Sequence, residues 1–434
     1  MKKDIFVVLA QRSWQGLSGL ITIILVARFL SPELQGWYYS FLSVAAFYTL
    51  FDLGLSIVIV QLTAHLFVDL KWGKKGKAEG PSVSRFREFT FQIFKHYRLL
   101  AIAFILIAVP GGYYFFSLQP SAEGISWKFA WLGLALATAG SIMTIPALAI
   151  VEGSGRIKEV YSVRLSQGVA GSIACWIMLS IGGNLWAAVM PALTGVVTVI
   201  LWLLFKRPRT LVTQQNKIDQ GLRWKTEIWP LQWKIGLTWF SGYLLTAIYT
   251  PILFHYQGPI VAGQMGLSLT IANMLGILSQ SWIARHVPQL AQFAAKKDWH
   301  SMDKLFRRDF SIATASLIFG AIVICCCYCL LAYTPYQHRV LPFVPFAGLL
   351  GIALLNHIIG GLAVQLRSYK QEPLVWVAAL AAVATVPLAI WSSQIYSAEG
   401  VVASIFCVQL FFSLPAALVV WRHSNKKWRT AIDG

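Results

Sequence analysis

Negative charge is what this chain has least of. Asp and Glu together number 17 among 434 residues, and all charged residues make up only 12%. A soluble domain carries about 25%, so a soluble globular fold is excluded. Long apolar runs recur from end to end, and 57% of the residues are hydrophobic, which leaves no stretch for a separate soluble domain. Cysteine is equally sparse. Cys175, Cys325, Cys326, Cys327, Cys329 and Cys407 all fall within apolar runs, without the spacing or polar surroundings of a disulfide framework or a metal site. No phosphate loop is present either. Gly73-Lys74 and Gly76-Lys77 lack the following Ser or Thr, so no nucleotide cofactor is expected. The loops expected outside the membrane are short, and their carboxylates (Glu33, Glu123, Glu399) stand on separate ones. That argues against a membrane glycan polymerase, which would need paired carboxylates, and against an enzyme in general. No secretory cleavage pattern precedes the first apolar run.

What is present is twelve apolar runs, near residues 13–30, 37–63, 99–118, 127–150, 161–182, 185–205, 234–254, 260–284, 311–334, 340–365, 374–394 and 400–421. Each is long enough to cross about 30 Å of hydrocarbon at 1.5 Å per residue. The fold expected is an all-α integral membrane protein of 12 transmembrane helices. The net charge of +19 resembles a nucleic-acid binder's, but its distribution says otherwise. With the N-terminus inside, 33 of the 36 Lys and Arg residues fall on the cytoplasmic side, leaving only Arg28, Lys128 and Arg339 outside. That is the positive-inside pattern, with both termini cytoplasmic. The bilayer is the expected partner, and nucleic acid is not.

The runs divide into an N-terminal lobe, 1–205, and a C-terminal lobe, 234–434, joined by a cytoplasmic linker, 206–233. The second half is a faint copy of the first. Ser13-Trp14 matches Thr238-Trp239, and Pro32-x-x-x-Gly36 matches Pro259-x-x-x-Gly263. Both halves start inside, so the repeat is parallel. Phe86, Phe89, Ile93 and Tyr97 recur at helical spacing, opposite Arg85, Glu88, Gln92 and Lys95. This predicts an amphipathic connector lying on the membrane surface. The linker, with Leu222, Trp224, Ile228 and Trp229, reads the same way.

Asp52 is the one acidic residue deep within an apolar run. An intramembrane carboxylate is costly, by about 2.5 kcal/mol or more, and usually marks an ion or substrate pathway. Its depth in a continuous helix, about 22 Å below the outer end, puts it out of reach of Arg28. Arg12 falls roughly 15 Å short from the other side. Asp52 is therefore a candidate for ion or proton coupling, with a structural hydrogen bond inside the first lobe as the alternative. His357 in the tenth run is the second coupling candidate, with a packed, hydrogen-bonded histidine as its alternative.

The stretch Phe29-Leu30-Ser31-Pro32-Glu33-Leu34-Gln35-Gly36-Trp37-Tyr38-Tyr39-Ser40-Phe41, followed by Phe51-Asp52-Leu53-Gly54-Leu55, resembles bacterial O-antigen and polysaccharide flippases. These belong to the multidrug/oligosaccharidyl-lipid/polysaccharide exporter superfamily. Trp239-Phe240-Ser241-Gly242-Tyr243 and Ala262–Thr270 are similar to the corresponding second-half segment, and Glu152-Gly153-x-Gly155 to the loop after the fourth helix. The family often has Glu where Asp52 stands. The resemblance implies two pseudo-symmetric six-helix lobes around a central cavity, working by alternating access in the bacterial inner membrane. It implies an undecaprenyl-pyrophosphate-linked oligosaccharide, such as an O-antigen repeat unit, as cargo, moved from the cytoplasmic to the periplasmic leaflet, and a glycan assembly machinery as partner.

Such a cavity needs cations for the pyrophosphate. Arg12, Lys234 and Arg285 near the cytoplasmic ends of their helices, and Arg28 near an outer end, are the candidates, with topological anchoring as the alternative. Trp14, Trp239 and Tyr243 are candidates for stacking on sugar, and packing explains each equally. The rival is a cation-coupled multidrug or metabolite exporter of the same superfamily. Such exporters generally rely on carboxylates in the first, seventh or tenth helix. This chain has none within 13–30, 234–254 or 340–365. The peptidoglycan-precursor branch typically adds two further helices.

Overall fold

A computed structural model describes residues 2–73, 78–206, 228–369 and 372–430. Apart from one short hairpin, all regular structure among the described residues is helical. In chain order the helices are α1 (Lys2–Phe29), α2 (Pro32–Ala45), α3 (Thr49–Asp52), α4 (Leu55–Leu66), α5 (Val83–Ser117), α6 (Lys128–Gly153), α7 (Ile157–Ser180) and α8 (Trp186–Lys206). They continue as α9 (Trp229–Thr246), α10 (Tyr249–Gln257), α11 (Pro259–Ala284), α12 (Val287–Ala295), α13 (Trp299–Leu331), α14 (Phe343–Arg367), α15 (Val375–Val408) and α16 (Leu414–Thr430). Among the described residues, eight helical runs are long and apolar enough to cross a membrane, or nine with the bent pair Pro32–Asp52 and Leu55–Leu66. The protein is a multi-pass helical membrane protein.

Local chemistry sets the breaks between spans. Ser31 caps α2 by accepting from the Leu34 amide at 3.1 Å, with Pro32 in the first turn. A side-chain oxygen there satisfies one of the otherwise unpaired amides, and proline lacks the donor that would be wasted. Gly182 (φ 76°) and Asn184 (φ 46°) reverse the chain between α7 and α8, so the tight turn separates two spans. Ser397 (φ 55°, ψ −139°) interrupts α15, which is therefore two helices joined end to end.

The chain divides into two compact units. One comprises Met1–Leu34 and Phe41–Tyr243, the other Gln35–Ser40 and Leu244–Gly434. The linker expected at 206–233 lies largely outside the described residues, Leu222 and Trp224 included. Ile228 is fully buried in the first unit's core, and Trp229 is exposed.

In the first unit the expected surface connector is corrected. Phe86, Phe89, Ile93 and Tyr97 are fully buried, packed with Leu55, Val58, Ile59 and Phe104 in one core. They form the opening turns of α5, which runs unbroken for 35 residues, about 52 Å. That length exceeds the hydrocarbon thickness. The amphipathic stripe is thus the N-terminal end of the α5 span, turned toward a protein core rather than toward headgroups. A two-residue hairpin, Lys71–Trp72 paired with Ala78–Glu79, and Leu70 close over it.

In the second unit the two copies of the repeated motif meet. A side-chain carbon on Gly36 would lie 1.7 Å from the Pro259 carbonyl oxygen, and one on Gly263 would lie 2.8 Å from the Gly36 amide nitrogen. Only glycine permits backbones this close. Gln35, 1% exposed, donates to the carbonyls of Gly263 and Arg339, each at 2.9 Å.

Candidate functional site

Asp52 is buried at 4% exposure, and it ends α3 where the second span breaks. Leu53 (φ 43°) and Gly54 (φ 69°) both adopt the left-handed conformation, and the flanking helices bend by 40°. The left-handed region is unfavourable for a residue with a side chain, by about 1–2 kcal/mol, so the break is built rather than incidental. At Gly54 a side-chain carbon would meet Ile235 at 2.1 Å and the Trp239 indole nitrogen at 3.2 Å. The glycine of the Phe51–Leu55 motif is thus required twice, by its φ and by the approach of α9.

The carboxylate closes this break. Its Oδ2 accepts from Ser56 Oγ at 2.8 Å, across the interruption, and its Oδ1 accepts from Tyr97 Oη on α5 at 2.5 Å. Both bonds lie inside the first unit. In a continuous helix Asp52 would lie out of reach of Arg28 and Arg12, whereas the real span is broken. Both donors to Asp52 are hydroxyls rather than cations. Tyr97 belongs to the stripe that periodicity alone places on the membrane surface. Its signal was present as the only hydroxyl-bearing member of an otherwise hydrocarbon stripe.

Around this break the structure gathers two of the sugar-stacking candidates. Trp239 lies against Gly54 and is 39% exposed. Tyr243 packs its ring on Phe47, centroids 6.1 Å apart, and its hydroxyl donates to the Ser43 carbonyl at 3.5 Å. Trp14 is elsewhere, in the seam between α1 and α7. Its indole donates to Ser172 Oγ at 3.2 Å, and its ring sits 6.2 Å from that of Trp176. Trp176 in turn donates to Thr22 Oγ1 at 2.8 Å. Arg12 and Arg28 are exposed, and Arg28 rests over its neighbour Phe29 at 5.7 Å. Neither is brought to Asp52. The Lys234 side chain lies outside the described residues.

His357 belongs to the second unit and is 1% exposed. Both ring nitrogens are engaged, Nδ1 with Ser279 Oγ at 3.1 Å and Nε2 with Thr314 Oγ1 at 3.0 Å. The ring stacks on Phe310 at 5.2 Å, and the His357 carbonyl accepts from Gln280 at 3.2 Å. These contacts tie α11, α13 and α14 together. Arg285 follows α11, its guanidinium 4.7 Å from the Trp282 ring. Next to it stands a residue missed in the sequence, Asp309, which is 1% exposed. Flanked by Arg308 at the edge of an apolar run, it reads as a surface charge. Among the described residues no group of three or more His, Cys, Asp and Glu side chains could hold a metal ion.

No protein-family profile matches the sequence, and neither does any curated protein. Solved structures do match. An inward-facing multidrug resistance MATE family transporter of the MOP superfamily aligns with TM-score 0.66 at 11% identity, over 98% of this chain and 98% of that one. The lipid II flippase MurJ, in an inward closed conformation, aligns with TM-score 0.68 at 13% identity, over 96% of this chain and 87% of that one. The eukaryotic MATE transporter AtDTX14 aligns with TM-score 0.60 at 14% identity, over 99% and 98%. The chain has the fold of MOP-superfamily transporters. These neighbours are transporters and a flippase.

Proposed function

We propose that this chain is a flippase for a polyprenyl-diphosphate-linked oligosaccharide, an O-antigen or similar repeat unit. It would move that cargo from the cytoplasmic to the periplasmic leaflet of a bacterial inner membrane, with both chain termini cytoplasmic. The observation that carries this reading is where carboxylates stand in the spans. Residues 13–30, α9, α10 and α14 contain no Asp or Glu at all. The carboxylate within the second span is tied by two hydroxyls at a helix break. An exporter driven by cations through carboxylates in the first, seventh or tenth span would lack its ligands here. The fold shared with the flippase MurJ is consistent with lipid-linked cargo.

A cation-coupled multidrug or metabolite exporter is the second reading, favoured by the equally extensive similarity to MATE transporters. On the flippase reading, Asp52, Trp239 and Tyr243 form one working site at the break, and Arg285 meets the headgroup. Deleting the gene separates the two readings. The flippase predicts lipid-linked glycan accumulating on the cytoplasmic side and loss of surface glycan. Unchanged surface glycan combined with new sensitivity to toxic cations would establish the exporter instead. Asp52→Asn in a well-inserted protein is expected to reduce glycan export sharply, and normal export would remove the carboxylate from the mechanism.

A further inference from the structure

The final turn of α16 plugs into a small receptor built by the start of α13 and the end of α14. Arg429, in that turn, donates Nη1 to Asp303 Oδ2 at 2.9 Å, Nη2 to Asp303 Oδ1 at 2.6 Å and Nε to the Tyr369 hydroxyl at 3.2 Å. Its guanidinium carbon lies over the Trp299 ring at 5.6 Å. All these groups belong to the second unit, at the end that the proposed topology puts in the cytoplasm. The receptor is shaped without the arginine. Trp299 and Tyr369 pack against the core of Leu290, Met302 and Phe306, with their rings 5.8 Å apart. The Gln365 amide donates to Asp303 Oδ1 at 3.3 Å, and the Gln365 side-chain carbonyl accepts from the Trp421 indole at 2.9 Å.

We propose that Asp303, Tyr369 and Trp299 form a guanidinium-binding site that Arg429 occupies in cis, so that the end of α16 is a displaceable plug and a free guanidinium compound is its competitor. This site goes beyond the flippase reading and is independent of the cargo. A guanidinium offers five N–H donors in a planar fork. The carboxylate takes two of them as a bidentate pair, the tyrosine hydroxyl takes a third, and the indole supplies an aromatic face for the charge. An ammonium is a point charge without that fork, so the receptor selects guanidinium over amine.

The plug is placed to exchange. The side chains of Arg429 and Asp303 are 27% and 29% exposed, so a competitor from solution can reach the carboxylate, whereas Asp309 on the same helix is sealed at 1%. An ion pair this exposed contributes little to stability, and the last carbonyls of a helix have no intrahelical partner. Trp428, whose ring lies 5.4 Å from that of Tyr369, leaves together with Arg429. Trp421 stands about two turns earlier and keeps its bond to Gln365. Displacement thus frees the last two turns of α16 and leaves the receptor intact.

The test uses full-length protein in phosphatidylcholine nanodiscs, with N-acetylarginine methylamide as probe and N-acetyllysine methylamide as control. Arg429→Gln empties the site. By calorimetry it should bind the arginine probe at least about tenfold more tightly than wild type, whose tethered arginine competes at an effective concentration of roughly millimolar. Adding Asp303→Asn should remove that binding, and adding Trp299→Leu should weaken it about threefold. The lysine probe should bind at least about tenfold more weakly than the arginine probe. In wild type, the arginine probe at roughly 100 mM, well above the effective concentration of the plug, should speed amide exchange in residues 422–429, and the lysine probe should not. That arm needs no substitution and decides the outcome if Arg429→Gln does not fold. The proposal is overturned if cooperatively melting Arg429→Gln ignores the arginine probe, if Asp303→Asn leaves its binding intact, or if the two probes act alike. Unchanged exchange in wild type would equally overturn it, and would make the Arg429–Asp303 pair a structural clasp only.

Discussion

The hydrogen bond between Tyr97 and Asp52 can be measured directly. Tyr97→Phe removes one hydroxyl and keeps the ring that fills the core beside Phe86, Phe89 and Ile93. It leaves Oδ1 of a carboxylate that is 4% exposed without its donor. A hydrogen bond to a charged acceptor contributes about 1.5–3 kcal/mol, and one between neutral groups about 0.5–1.5. Tyr97→Phe should therefore destabilise the protein by about 1.5–3 kcal/mol if the acceptor is ionised, and by about half that if it is neutral. In an Asp52→Ala background the same substitution has no acceptor to lose and should cost close to nothing. The coupling energy of this double-mutant cycle then equals the bond's contribution and reports the charge of its acceptor. The assay is unfolding of the detergent-purified protein for wild type, both single variants and the double variant, at matched micelle composition. A coupling below about 0.5 kcal/mol would refute the hydrogen bond as the element that closes the helix break. The residual effect of Asp52→Ala would then have to come from Ser56.

Three further outcomes are expected. Gly36→Ala places a carbon 1.7 Å from the Pro259 carbonyl, an overlap with backbone that no rotamer relieves, and should destabilise by about 3 kcal/mol, read as loss of monodisperse protein on size exclusion. Ser397→Gly relieves a conformation, φ 55° and ψ −139°, that suits glycine, and should stabilise by about 1 kcal/mol, read as a raised thermal midpoint. Asp298 caps α13 by accepting from the Ser301 amide at 3.0 Å, and hydrogen bonds from Ser301 hold its carboxyl below the usual Asp range. A depressed folded-state pKa means that its stabilisation is present above about pH 4 and is lost as pH falls through the lower folded value. Asp298→Asn should remove that part of the acid dependence in a thermal melt followed against pH.

The Gly54 and Gly36 positions show how far the sequence could be read. Both glycines stood in motifs visible by inspection, and the repeat of Pro32-x-x-x-Gly36 in Pro259-x-x-x-Gly263 was legible from spacing. That the two copies touch was not, because spacing along one chain carries no information on which helix faces which. The stripe of Phe86, Phe89, Ile93 and Tyr97 was also legible as one apolar face. An apolar face is satisfied equally by lipid or by protein, so periodicity alone assigned it to the membrane surface, and only packing against Leu55, Val58 and Ile59 decided otherwise. Asp309 was hidden by its neighbour Arg308. Burial depends on what folds over a residue, not on the charge beside it in sequence.

Composition alone was enough to show that this protein is a polytopic helical membrane protein. A bilayer leaves unpaired backbone groups no solvent, so runs of about 20 apolar residues must close their hydrogen bonds within each helix. The sequence also determined that a carboxylate lies in the second span. Only the tertiary structure decided what holds that carboxylate. The partner, Tyr97, is 45 residues away, and the helix that would have run past Asp52 breaks at Leu53-Gly54. Hydrogen bonds within a helix are local and follow from composition, whereas bonds that close a break depend on which neighbour the fold brings within 3 Å.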